Sequence, residues 1–305
     1  MWTVSPTGMP DTRYRGRFAP SPTGPLHLGS LIAATASYLQ ARHQGGEWWV
    51  RIEDIDPPRE VAGASDMILR TLEAFGFEWD GPVSYQSCQQ DRYRAALAQL
   101  QRENRVYACG CSRKDLATAG NYIYPGTCRE GLAPGRQPRS WRLRVPEQVD
   151  EYVDAIQGLQ RTEPATELGD FVLWRADGYV AYQLATALDD AEQGMTEVVR
   201  GADLLDSTPR QRLVQQALGL PSPAYAHHPV VTGANGYKLS KQNRAPPLDS
   251  HKPTPQLHAA LRFLGQAPPM PLQQAHVDEL WAWARANWDL QRIPAILSRQ
   301  IEKLP

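Results

Sequence analysis

The sequence predicts an α/β protein built on a Rossmann-like parallel sheet. Three observations lead there. The chain opens as strand, turn, helix, strand, an order that lays two strands side by side with a helix over them. Amphipathic helical stretches and short apolar runs then continue to intermix along most of its length. Finally, of its 305 residues 42% are hydrophobic and 21% charged, enough apolar material for a buried core.

The elements follow in order. Residues 1–14 read as a loose leader and 15–18 as a short strand. Residues 19–25, Ala-Pro-Ser-Pro-Thr-Gly-Pro, make a turn from prolines of fixed φ and one permissive glycine. From His27 to about Arg42 the spacing of Leu28, Leu31, Ile32 and Leu39 is helical, and Gly45-Gly46 stops the helix. Residues 48–52 form a buried strand that runs into Glu53-Asp54-Ile55-Asp56. Residues 64–75 and 91–104 are amphipathic helices, whereas 109–128, which carries the clustered cysteines, lacks periodicity. The alternation over 140–145 suits a strand, and 171–174 and 180–188 read as strands or their junctions. Residues 208–218 are a helix with Gly219 just beyond it. Pro229-Val230-Val231 is a short strand before a glycine turn and Lys238-Leu239-Ser240-Lys241, and helices resume near Pro253.

The formal net charge is -1, so any contact with nucleic acid must come from a local basic face. The 26 prolines and 9 tryptophans imply many fixed turns and several large, rigid packing groups. No signal-like leader or membrane-spanning run is visible, so a reducing cytoplasm is the expected compartment and membrane partners are not expected. In that compartment clustered cysteines point to metal before disulfides. Cys109, Cys111 and Cys128 supply three thiolates; Tyr122, Tyr124, Asp115 or a water is left to complete four-coordination of zinc. Cys88 has no partner in the sequence and reads as a buried or idle thiol.

Two segments carry phosphate chemistry. Residues 20–30 place a proline-glycine turn at a helix start, where unpaired N–H groups and a partial positive charge favour anions. His27 can donate to a phosphate oxygen, and Gly29 leaves room for something flat to approach the backbone. Residues 233–241 form a glycine-flanked loop whose Lys238 and Lys241 are mobile point charges able to follow a phosphate through a reaction. Taken alone, the first is an ordinary helix cap and the second a solvated turn.

Together, His27-Leu28-Gly29-Ser30 and Lys238-Leu239-Ser240-Lys241-Gln242 resemble the two signatures of class I aminoacyl-tRNA synthetases in kind, order and separation. Ser30 stands where the first signature ends in histidine, and Gln242 where the second ends in serine. The strings around Arg17-Phe18-Ala19-Pro20-Ser21-Pro22-Thr23-Gly24, Arg51-Ile52-Glu53-Asp54-Ile55-Asp56 and Val199-Arg200-Gly201-Ala202-Asp203 look like the glutamyl branch, and the likeness spans roughly residues 15–245. Only about 60 residues follow the lysine loop. With Leu257, Leu261, Leu264, Leu280, Trp281, Trp283 and Trp288 they suit a small helical cap rather than an anticodon-binding domain. The chain therefore resembles most the shortened glutamyl-queuosine tRNA(Asp) synthetases.

That resemblance implies a sheet split by a zinc-bearing insertion. The expected divisions are 1–90, the first half of the catalytic domain; 91–178, the insertion, which binds an RNA stem; 179–245, the second half; and 246–305, the cap. It implies activation of L-glutamate by ATP, with Mg2+ accompanying the nucleotide, without RNA. Transfer to queuosine in the anticodon stem-loop of tRNA(Asp) would follow. His27 and Lys241 are the implied catalytic residues; Pro20, Ser21, Pro22, Thr23, Gly24, Gly29, Ser30, Lys238 and Ser240 would hold ATP beside them. For glutamate, the planar fork of Arg17 suits a carboxylate and Glu53 an ammonium group. Phe18, Ala19, Pro20, Ser21, Tyr182 and Arg200 match further family positions around the amino acid. The family's Tyr-x-x-x-Cys pattern selects Tyr124 as the fourth ligand of one structural zinc, with Cys109, Cys111 and Cys128. The rival expectations are a truncated glutamyl-tRNA synthetase charging a 3′ end and a non-catalytic RNA-binding module.

Overall fold

The structure is a computed structural model that describes residues 13–118, 123–233 and 246–300. Strand β1 (Arg15–Phe18) pairs in parallel with β2 (Glu47–Ile52), and β2 with β3 (Ser84–Tyr85). Helix α1 (Leu28–His43) crosses between β1 and β2. It starts one residue later than its periodicity suggests, because His27 is extended and acts as its N-cap. Past its end Gly45 adopts a φ of 61°, and at Gly46 a Cβ would lie 2.3 Å from the Tyr14 carbonyl oxygen, so the return into β2 requires glycine there. Helices α2 (Ala64–Ala74) and α3 (Gln90–Arg102) fall where their amphipathic patterns predict.

The chain then builds a separate antiparallel sheet from β4 (Val106–Cys109), β5 (Ser140–Leu143) and a later strand, β8 (Val172–Trp174), with α4 (Arg113–Thr118) between β4 and β5. Not all of 91–178 leaves the main sheet, however. The hairpin β6 (Asp150–Asp154) and β7 (Gly158–Thr162) lies within that stretch, and β6 pairs in parallel with β10 (Ala224–His228). In turn β10 pairs in parallel with β9 (Glu197–Gly201), giving the order β7-β6-β10-β9. The Thr196 amide donates to the Arg15 carbonyl at 2.9 Å, which laces the start of β9 to β1 and aligns their two sheets.

Of residues 180–188, read above as a strand or a junction, Val180 forms a bridge to Trp174, but 182–188 belong to helix α5 (Tyr182–Glu192). Their apolar residues face a core shared with α3 and with α6 (Thr208–Leu218), so a buried helix here mimics a buried strand. Gly219 ends α6 with a left-handed φ of 67°, as its place beyond the periodic residues predicts. Cys88 is exposed rather than buried, because it sits in the short 3-10 turn Gln86–Gln89 ahead of α3.

The C-terminal region packs α7 (Pro253–Phe263) and α8 (Val277–Asn287) against α1. Tyr38, Trp48, Phe77 and Trp281 meet edge-to-face or stacked at 4.9–5.4 Å between ring centroids. Indole N–H groups of Trp281 and Trp288 donate to the Phe75 carbonyl and the Gln40 side chain at 2.8 and 2.9 Å, so the large rings bury their polar edges satisfied. This cap is not wholly helical: β11 (Val230–Thr232) pairs in parallel with β12 (Ser298–Gln300). No helix among the described residues is long and apolar enough to cross a membrane.

Candidate active site and metal centre

A cavity of about 340 Å³ opens at the ends of β1, β9 and β10. One side is the phosphate turn. After β1 the chain folds through Gly24, at φ 127°, and enters α1 at His27. The His27 Nδ1 accepts the Ser30 amide at 3.3 Å, which puts the proton of a neutral imidazole on Nε2. The first turn of α1 contains no acidic residue, so its dipole is not offset there. Ser21, Thr23, His27, Gly29 and Ser30 all line this side, whereas Pro22 and Gly24 shape the turn from behind. The described residues leading into and out of the lysine loop also meet here: Val230 and Val231 line the cavity, and Pro247 forms a bridge to His27. Lys238, Ser240 and Lys241 themselves lie outside the described residues, as does Tyr122.

The opposite side is formed by Arg17, Phe18, Ala19 and Pro20 with Tyr182 and Arg200. Behind it lies a buried charge network. Arg17, 4% exposed, gives its Nε and Nη2 to the two carboxylate oxygens of Asp190, both at 3.0 Å. The fork expected to face a ligand is thus occupied from within the protein. Arg51 donates to Asp190 at 2.8 Å and reaches Glu53 at 3.4 Å. Glu53 does not line the cavity; it sits one layer back and accepts the Thr186 hydroxyl at 3.2 Å. Asp189 accepts from Gln86 at 2.7 Å and from Tyr93 at 2.8 Å. Two guanidinium groups therefore face three carboxyl groups. Burial works against ionisation of Asp190, but Arg17 and Arg51 overcome it and hold that carboxyl far below the usual range. In Glu53 and Asp189 burial prevails over the same arginines and raises both. An excess of buried carboxyl over cation suits a site that takes up an ammonium group.

Arg200, on β9, is arranged differently. Its Nε donates to His227 Nε2 at 3.0 Å and its Nη2 to the Thr208 hydroxyl at 2.8 Å. Its Nη1 is buried without a hydrogen-bond partner among the described residues. Of these residues, sequence reasoning missed Arg51, His227, Asp154 and Thr208, and it gave Asp189 and Asp190 no role. One signal was available: adjacent aspartates inside the apolar run 180–191 are buried only if partnered.

The cysteines meet as their spacing suggests. The sulfurs of Cys109, Cys111 and Cys128 lie within 4.8 Å of one another, with Cys111 and Cys128 at 3.7 Å. A tetrahedron of thiolates about 2.3 Å from zinc has edges of about 3.8 Å. The Tyr124 hydroxyl stands 3.4 Å from Cys109 and 3.7 Å from Cys111, at the fourth corner, and accepts the Cys128 amide at 2.9 Å. Arg142 lies over the Tyr124 ring at 3.8 Å. Although burial opposes it, hydrogen bonds from Tyr124 and Arg142 bring the Cys109 thiol down to about 7. Burial and the neighbouring sulfurs push Cys111 up to about 11. Asp115 is turned away, bound to the Ser112 amide and to Arg136 at 2.8 Å each. The three cysteines form a cluster that could hold a metal ion, and the Tyr124 phenol stands beside it.

The catalytic-domain model of class I tRNA synthetases (E and Q) matches residues 13–122 and 126–252. The chain is 57% identical over 292 residues to a glutamyl-Q tRNA(Asp) synthetase of Chromobacterium violaceum, covering 94% of this chain and 97% of that one. It is 54% identical to that of Dechloromonas aromatica, covering 92% and 96%. Among solved structures it is similar to the glutamate-tRNA synthetase of Elizabethkingia anophelis, with a TM-score of 0.80 and 26% identity over 95% of this chain and 68% of that one. The glutamate tRNA ligase of Elizabethkingia meningosepticum, solved in complex with its amino acid, gives a TM-score of 0.78 at 27% identity, covering 94% and 67%.

Proposed function

Because the chain belongs to the glutamyl-Q tRNA(Asp) synthetases, a branch of the class I (E and Q) tRNA synthetases and hence a family of ligases, we propose that it activates glutamate with ATP, without RNA, and transfers it to queuosine in tRNA(Asp). The observation that carries this reading is one cavity with two ends: a helix start and His27 at one, and at the other a buried arginine whose Nη1 has no hydrogen-bond partner among the described residues.

ATP, with its Mg2+, lays its phosphates on the turn at residues 20–30. Glutamate sits beside Arg200, Tyr182 and the surface of Arg17, with its ammonium group toward the carboxyl-rich network that includes Glu53. Its α-carboxylate oxygen attacks the α-phosphorus; a C–O–P anhydride forms, the bond to pyrophosphate breaks, and the electron pair leaves with pyrophosphate. His27 Nε2–H and the first amides of α1 stabilise the charge that develops, and Lys241 follows the departing phosphates. A hydroxyl of the queuosine ring then attacks the acyl carbon, releasing AMP and a proton. Cys109, Cys111, Cys128 and Tyr124 would hold a structural zinc, which would supply a cross-link rather than a catalytic group. It would pin the small antiparallel sheet, which we assign to contact with the RNA stem.

Glutamate-dependent exchange of pyrophosphate into ATP, measured without RNA, tests the first step; no exchange by the intact protein refutes it. Lys241→Ala should lower kcat for exchange by at least about 100-fold with little change in glutamate affinity, since its charge acts mainly on the transition state. Exchange near the parent rate removes Lys241 from that role. For the second step, an isolated tRNA(Asp) anticodon stem-loop carrying queuosine should accept glutamate, and the same stem-loop with guanosine should not, because it lacks the ring hydroxyls. Glutamate recovered instead on a 3′-terminal adenosine would mean a conventional charging reaction.

A further inference from the structure

Arg17 and Arg200 face the same cavity but are held in opposite ways. Arg17 is neutralised in place by the carboxylate of Asp190. Among the described residues Arg200 meets no carboxylate directly; the group on its Nε is an imidazole. We infer that His227, locked by Asp154, is a positioning residue that fixes Arg200 without neutralising it, so that its positive charge remains available to a carboxylate of glutamate. The inference rests on the glutamate site proposed above.

The geometry is a relay across three adjacent strands. Arg200 on β9 and His227 on β10 are register partners, and β6, ending in Asp154, flanks β10 on its other side. His227 Nδ1 lies 2.5 Å from Asp154 Oδ2, and both side chains are fully buried. Asp154 cannot swing away, because its Oδ1 accepts the backbone amides of Ile156, Gln157 and His227 at 2.9–3.1 Å. A carboxylate on Nδ1 demands a proton there, which leaves Nε2 as an acceptor aimed at the Arg200 Nε–H. Thr208 completes the hold, 3.1 Å from Nε2 and 2.8 Å from Arg200 Nη2. The Tyr225 ring stacks on the imidazole at 6.1 Å, and Arg200 lies over the same ring at 5.5 Å. Every bond to the guanidinium except the Nη1 edge is therefore specified. An acid in place of His227 would hold the arginine as firmly but compete with the substrate's carboxylate for its charge. With the imidazole as spacer, the counter-charge of Asp154 stays one ring away.

The test is pyrophosphate exchange by the full-length protein and two variants. His227→Gln keeps an amide oxygen near the place of Nε2. His227→Asn can still donate to Asp154 but is too short to reach Arg200. The Asn variant should raise KM for glutamate by about 10- to 100-fold, the loss expected for one hydrogen bond to a charged group. Its KM for ATP should not move and its kcat should stay within a few-fold, while the Gln variant should lie close to the parent. Equal glutamate KM in parent and Asn variant, or parallel rises for glutamate and ATP, would overturn the inference. Should the Asn variant not fold, Asp154→Asn keeps an oxygen for the three amides but removes the demand on the tautomer. It must then raise KM for glutamate alone, and an unchanged value refutes the role. A parent protein that activates no glutamate overturns the site assignment itself, an outcome distinct from any difference among variants.

Discussion

Asp190→Ala is expected to lose about 3–5 kcal/mol of folding stability, the usual cost of removing one member of a buried ion network. Asp190 is 1% exposed and serves both Arg17 and Arg51. Without it, two guanidinium groups remain under the sheet with too little counter-charge close by. A loss of that size is a large share of the stability of an ordinary domain, so the variant should unfold at a much lower denaturant midpoint with an unchanged slope. A midpoint within experimental error of the parent would show that the arginines find other partners. The pH dependence has a definite sign. The folded carboxyl of Asp190 is held below its unfolded value, so its contribution is fully present above about pH 4 and is lost progressively as pH falls through the folded value. Glu53 and Asp189 are shifted the other way, so they destabilise only as pH rises from their unfolded values near about 4 toward their raised folded ones. The share of Asp190 is therefore read as the difference between parent and Asp190→Asn over pH 2–5.

Removal of the metal should have the other large effect. The core beside β4 is small: Tyr107, Cys109 and Cys128 are buried together, with Cys111, Tyr124 and Leu132 packed against them. So few apolar groups cannot hold an irregular segment in place, and a tetrahedral ion would supply the missing cross-links. About one zinc per chain should copurify. Cys128→Ser, or prolonged chelation, should strip it and increase amide hydrogen exchange across the β4–β5–β8 sheet while the parallel sheet keeps its protection. Tyr124→Phe retains the ring and its stacking with Arg142 but removes the oxygen at the fourth corner, so it should weaken zinc without dispersing the cysteines. Fresh, unchelated protein with no bound metal would refute the zinc assignment; unchanged zinc affinity in Tyr124→Phe would move the fourth ligand elsewhere.

What was legible in the sequence was local. Turn chemistry at residues 19–25, helical spacing over 28–39 and the glycine after α6 each act within a few residues, and each gave the right element. The cysteine cluster was legible because Cys-x-Cys with a third cysteine nearby, in a reducing compartment, points to metal before disulfides. The strand-like reading failed over 182–188 because a helix buried on several sides has no polar face to mark its period. The β6–β7 hairpin escaped because its exposed positions include Val153 and Leu159, which breaks the alternation of a half-buried strand. The buried charges were hardest of all. Arg17 and Asp190 stand 173 residues apart, and nothing in either neighbourhood names the other. Arg17 was read only as facing a carboxylate of glutamate, because its inward partner Asp190 becomes visible only when α5 is folded against β1.

The pairing of β11 with β12 bears on how the protein is made. Val230 and Val231, which line the cavity and lead into the lysine loop, pair with Ser298 and Arg299, translated much later. Arg299 also donates to the Phe263 carbonyl at the end of α7, at 2.8 Å. A nascent chain can therefore assemble β1, α1 and β2 early, whereas the strand that pairs with Val230 and Val231 on one wall of the cavity is available only once residues 298–300 emerge from the ribosome. A chain stalled before residue 298 should therefore sample the β1–β2 pairing without the partner strand of Val230–Thr232.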